Sequence, residues 1–161
     1  MMDLLARKIE YTSCASALIA LSKHPRFVDK AKDITSAFPE MNTIVWLVGY
    51  DTLIRILDQK YYRDSLEESL SGFWERNRLV CAIRGDDVEE RGYIERIGRG
   101  ELQGVPSQWG EYIKVIEPVG KEHSSTKARK AAFERQWEEL GKVVPEEIAE
   151  YIRTEGLYRE E

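Results

Sequence analysis

Two short stretches of the chain hold residue types and spacings suited to chemistry. The first is Gly49-Tyr50-Asp51-Thr52, which follows directly on the apolar run Thr43 to Val48. A glycine at the end of a buried strand lets the backbone turn sharply and lets a ligand come close. Asp51 then stands at a strand end and a helix start. A carboxylate there can accept hydrogen bonds from a ribose hydroxyl, or from the free N–H groups of the helix it opens. The residues alone leave both readings open, and the capping one is the more ordinary. The second stretch is Ser124-Ser125-Thr126-Lys127-Ala128-Arg129. It opens a helix, whose free N–H groups and partial positive charge suit phosphate. Hydroxyls add donors, and arginine grips phosphate oxygens with two bonds. Cations at a helix N-terminus oppose the helix dipole, so Lys127, Arg129 and Lys130 call for a bound anion more than for a plain serine cap.

Other candidates carry less. Arg84 ends a strand and would face the same kind of crevice, but surface arginines are common. Tyr61 and Tyr62 could form an aromatic shelf for a flat ring, although such pairs are more often packing. His24 and His123 are lone histidines and are not read as catalysts. Gly98-Arg99-Gly100 lacks the strand and helix context of a phosphate loop. Cys14 and Cys81 sit in apolar runs and are expected to be buried and reduced. Two cysteines and two histidines, none in ligand spacing, make a protein-held metal site an unfavoured reading.

These residues need elements to place them. Hydrophobic spacing predicts helices over Met1–Tyr11, Pro25–Phe38, Thr52–Asp58, Ser65–Arg76, Asp86–Gly98, Ser124–Leu140 and Pro145–Glu155. Strands are predicted at Ala15–Leu21, Thr43–Val48, Arg78–Ile83 and Tyr112–Ile116. The continuous apolar run at Thr43–Val48 reads as a strand covered on both faces. Residues 98 to 110 read as a loop. Strands alternating with helices imply an α/β fold with a mostly parallel sheet. Ligands then bind at the carboxyl ends of the strands, after Leu21, Val48, Ile83 and Ile116.

The 161 residues suit one domain over 1–161, with 42% apolar and 33% charged residues giving a globular composition. Against 29 acidic residues stand 24 basic ones, a net charge of -5, which argues against a nucleic-acid binder. The run Cys14–Leu21 is too short to span a bilayer. The first residues do not read as a secretory signal. Cytosol or nucleus is the expected compartment.

With these residues in view, the chain resembles the nicotinamide mononucleotide (NMN) adenylyltransferases, most closely their fungal, cytidylyltransferase-like branch. The likeness rests on Gly49-Tyr50-Asp51-Thr52-Leu53-Ile54-Arg55, the strand ending in Arg84, Ser124 to Arg129, and the tail Val144-Pro145, Tyr151-Ile152 and Gly156-Leu157-Tyr158. Pro25 to Ala31 also fits that branch. The resemblance implies a Rossmann-like nucleotidyltransferase fold. It implies transfer of AMP from ATP to nicotinamide or nicotinate mononucleotide, giving the dinucleotide and pyrophosphate with Mg²⁺. By the same resemblance Ser125, Thr126, Lys127 and Arg129 hold ATP phosphates, and Gly49 and Asp51 contact the nucleotide ribose. Tyr62 stands near the nicotinamide, and Arg84 lies near the site. No covalent nucleophile is needed.

One departure matters. The family opens with a strand and a loop of the form G-x-F-x-P-x-H-x-G-H, and no such motif occurs in these residues. The fold is therefore expected to lack its first strand and phosphate loop. A fragment, a misplaced gene start, or a shortened relative would each explain this. Weak or no turnover is expected of the isolated chain, as is self-association through an uncovered sheet edge. The other reading is a non-catalytic nucleotide-binding or interaction protein on the same scaffold.

Overall fold

The computed structural model describes residues 1–13, 15–83, 88–117 and 125–158. Backbone contacts divide the chain into two compact units, Ser22–Val119 and a second made of Met1–Leu21 with Gly120–Glu161.

The Ser22–Val119 unit is an α/β layer of Rossmann-like type. With α1 (Met2–Thr12) in the other unit, its elements are α2 (Phe27–Ala37), β1 (Ile44–Gly49), α3 (Tyr50–Ile56), α4 (Leu66–Arg76), β2 (Asn77–Ala82), α5 (Val88–Arg99) and β3 (Ile113–Ile116). The three strands are parallel and ordered β1-β2-β3. Ile44 pairs with Asn77 at one end of the first ladder and Gly49 with Ala82 at the other. Parallel neighbours need helical crossovers, and α3–α4 and α5 supply them. Leu53, Leu70, Leu79, Ile83 and Ile97 are fully buried at the core.

Local chemistry sets the boundaries. Ser65 caps α4 in a reciprocal capping box with Glu68. The Glu68 carboxyl is held below its usual range, chiefly by the Ser65 hydroxyl. Asn77, buried at the end of α4, accepts from the Trp46 indole at 2.6 Å and donates to the Phe73 carbonyl at 2.7 Å. It thereby ties the start of β2 to β1. Gly110 lies in a short 3₁₀ segment, Ser107–Tyr112, anchored by buried Trp109. A Cβ there would come within 2.9 Å of the Gly98 Cα, so glycine lets this segment press directly on α5.

The other unit is helical. It comprises α1, α6 (Ser125–Phe133), α7 (Trp137–Val143) and α8 (Glu146–Glu155). Ala131, Ala132, Leu140, Ile148 and Ile152 form its core, with Leu4 and Leu5 of α1 packed against it. Lys8 of α1 pairs with Glu147 of α8 at 2.9 Å. Gly156 takes the left-handed conformation that ends α8. Among the described residues no helix is long and apolar enough to cross a membrane.

Three expectations are corrected. Ala15–Leu21 is not a strand: no described strand ladders with it, and Leu18 and Leu21 stand exposed. Its apolar run met the composition of a strand, but a strand also needs a neighbour for its N–H and C=O groups. β1 is not covered on both faces, since Val45 is 55% and Leu47 78% exposed while Ile44 and Val48 are buried. Among the described residues it is an edge strand, laddered to β2 on one side. The long helix predicted from Ser124 to Leu140 is two helices. Arg135 turns left-handed at φ 57°, and the Gln136 N–H returns to the Ala131 carbonyl at 2.8 Å. That bond closes α6 with a cap of Schellman type without glycine.

Candidate functional site

In the α/β unit, the strand-end stretch is formed as the sequence implies. β1 runs straight into α3, and Gly49 serves as the N-cap at φ -83°. That angle is open to any residue, so no left-handed turn demands the glycine. A Cβ at Gly49 would meet nothing within 4 Å. The missing side chain thus leaves open space over the strand end, which a ligand can use. Asp51 is exposed in the first turn of α3 and is not the N-cap. Its negative charge suits that turn, and it takes part in an interaction of its own.

Around this strand end two tyrosines and a cysteine are held in their neutral forms. Burial, then nearby Glu89, raises the Tyr50 phenol above its ordinary range. Burial also raises Tyr93, whose ring meets Tyr50 edge-on at 5.7 Å. Cys81 is buried and unpaired, and burial with the Glu90 charge pushes its thiol up to about 11. A thiol that resists ionisation is a poor nucleophile. Cys14 and Arg84 lie outside the described residues.

Tyr62 belongs to a different wall of the same unit. It lines a cleft of about 750 Å³ between the start of α2 and the α3 side of the unit. Its hydroxyl donates to the Ile56 carbonyl at 2.8 Å, and burial pushes it up to about 12. The ring therefore offers a neutral face. Phe27 and Tyr61 also line the cleft, together with Arg26, Lys30, Arg55 and Lys60. The cationic side chains escaped the sequence reading. Their signal was present in the spacing, since Arg26 and Lys30 are four apart at the start of one helix and Thr52 and Arg55 three apart on another.

In the helical unit, α6 opens at Ser125. Buried Ala131 and Ala132 seat the helix, while Ser125, Thr126, Lys127 and Arg129 are exposed. Its first turn holds no acidic residue. Arg129 has no ion pair among the described residues, whereas Lys130 lies 3.8 Å from Glu134. Hydroxyls, a lysine and an arginine thus gather at the positive end of a helix. Phosphate oxygens are the chemistry this end can receive. Among the described residues, no three histidine, cysteine or acidic side chains converge to hold a metal ion.

No protein-family model matches the chain. It is 37% identical over 149 residues to a Schizosaccharomyces pombe protein named "Putative nicotinamide mononucleotide adenylyltransferase". The match takes in 88% of this chain, more than either unit alone contains. It takes in 59% of the yeast protein, so the chain spans less than two thirds of that relative's length. Likeness of this degree extends across nearly all of this chain's residues, and the strand-end and helix-start stretches are both formed within it.

Proposed function

We propose that these residues serve transfer of AMP from ATP to a pyridine mononucleotide. The likeness to the yeast protein carries this reading, and the open strand end at Gly49 and the cationic start of α6 support it. Thr126, Lys127 and Arg129, with the N–H groups around Ser125, take phosphate oxygens. Gly49 leaves room for a nucleotide beside the backbone, and Asp51 accepts from ribose hydroxyls. In the reaction an oxygen of the mononucleotide phosphate attacks the α-phosphorus of ATP. The new P–O bond forms as the bond to the β-phosphate oxygen breaks, and pyrophosphate leaves. Positioning and charge stabilisation suffice for such a step. The raised thiol of Cys81 fits a route with no covalent intermediate.

Mg²⁺ fits as a companion of the triphosphate. It is commonly held by substrate phosphates, water and one or two carboxylates rather than by a protein cage. When bound it neutralises charge on the leaving pyrophosphate. Self-association through the outer edge of β1 belongs to the same proposal, because that edge has no ladder partner among the described residues.

Incubating the 161-residue chain with Mg·ATP and mononucleotide, and measuring dinucleotide by mass spectrometry, tests the reading. The expected result is dinucleotide formed well below the roughly 1–10³ s⁻¹ of ordinary enzymes, and lost on the double substitution Thr126→Ala, Arg129→Ala. Unchanged formation in that variant would remove α6 from the reaction. Nucleotide binding with no dinucleotide at all would favour the non-catalytic reading.

A further inference from the structure

Two parts of the chain are left without a ladder, and they match each other. The first is the outer edge of β1, which has no ladder partner among the described residues. Such an edge presents a row of N–H and C=O groups to any further strand. Proteins usually blunt an open edge with a lysine, a proline or a bulge. β1 reads Ile-Val-Trp-Leu-Val-Gly and carries no charge or proline. Its pairing to β2 runs residue for residue from Ile44 to Gly49, so no bulge turns the edge away. Val45 and Leu47 stand exposed along it. The second part is residues 15–21, Ala-Ser-Ala-Leu-Ile-Ala-Leu, with no charge, proline or glycine. Leu18, Ile19 and Leu21 are exposed. Among the described residues, the backbone of this segment makes one hydrogen bond, from the Ala17 N–H to the Glu10 carboxylate at 3.0 Å.

Length and pattern agree as well. The segment is long enough to pair along all six residues of β1. Side chains alternate between the faces of a strand, so Ile19 and Leu21 would share one face and Leu18 would take the other. β1 has apolar neighbours for both, with Ile44 and Val48 buried on one face and Val45 and Leu47 exposed on the other. A segment apolar on both faces suits a strand laid against a parallel sheet. We infer that residues 15–21 of a second copy of this chain add to the outer edge of β1 as a fourth strand, giving a homodimer by strand exchange. Edge and segment belong to the same sequence, so every second copy brings the complement of both. Two identical exchanges close the pair under two-fold symmetry. They cover both edges and take Leu18, Ile19 and Leu21 out of water. The apolar run that has the composition of a strand then finds its ladder in the dimer. This inference rests on the proposed self-association through β1 and names the segment that covers the edge.

Light scattering and amide hydrogen exchange on the full chain, each over a range of concentrations, test it. A species of twice the 18.7 kDa of one chain is expected at high concentration, with slow exchange at residues 15–21 that is lost on dilution. Leu18→Lys in the segment and Leu47→Lys on β1 should each weaken dimerisation at least about tenfold, because a charge on a pairing strand blocks edge addition. Both leucines are exposed, so both variants should fold, and an unchanged far-ultraviolet circular dichroism spectrum checks this. A monomer at every concentration would overturn the exchange and the edge self-association together. A dimer that Leu47→Lys dissociates but Leu18→Lys does not, with residues 15–21 exchanging fast, would overturn the exchange while leaving the edge self-association standing. Slow exchange at residues 15–21 that persists in the diluted monomer would overturn the second copy as the occupant.

Discussion

Replacing Arg129 with alanine is expected to weaken Mg·ATP binding by about 10- to 100-fold while leaving the melting midpoint unchanged. The first part follows from chemistry. A hydrogen bond to a charged group contributes about 1.5–3 kcal/mol, and the arginine fork can make two to a phosphate. The second part follows from placement. Arg129 is exposed on α6, and the helix is held by buried Ala131 and Ala132. The charge change even favours the fold slightly, because a cation near a helix N-terminus opposes the dipole. Calorimetry and thermal unfolding on the same samples read both effects. Equal ATP affinity in the variant would remove Arg129 from phosphate binding, and a large fall in melting midpoint would show that its role is structural.

The largest expected effect on stability comes from Leu79→Ala. Leu79 is fully buried in the middle strand, paired across to Trp46 on one side and Ile113 on the other. Truncation removes its methyl groups and leaves a cavity that flanking ladders hold open. The cost of such a change is about 2–5 kcal/mol, a large part of the stability of a typical domain. Of the four tryptophans, Trp46, Trp74 and Trp109 belong to the α/β unit. Trp74 and Trp109 are almost fully buried. Denaturant unfolding followed by tryptophan fluorescence therefore reports mainly on the unit that Leu79 supports. A midpoint shift equivalent to less than about 1 kcal/mol would show that the sheet relaxes around the gap, contrary to the close packing expected of a protein interior.

Much of this structure was legible in the residues because local rules and tertiary placement agree. Ser65 and Glu68 announce the start of α4, and the box they form is present. Ile44 to Val48, rich in β-branched residues, is a strand. Gly49 ends it where expected, and the following helix begins at once. The failures have a common physical origin. Ala15 to Leu21 has the composition of a strand, but pairing depends on what lies beside it, which no local pattern records. Val45 and Leu47 are apolar and exposed for the same reason, since an apolar residue states a preference and its surroundings decide the outcome. The break at Arg135 needed a non-glycine residue at positive φ, which composition disfavours. The strand-end and helix-start stretches were readable because each sits at an element boundary with polar residues that packing does not require. The cleft at Tyr62 was not, because its cations come from α2, α3 and the turn after α3, and only folding brings those segments together.

The stretches beginning at Gly49 and Ser125 are proposed as nucleotide-binding elements. Titrating Mg·ATP into the isotopically labelled chain and following each backbone amide by NMR tests this proposal most directly. Saturable shifts centred on residues 49–52 and 125–129 are expected, with loss from the second group in Arg129→Ala. Amides at both stretches that stay unmoved at millimolar Mg·ATP, or shifts confined to other parts of the chain, would contradict it.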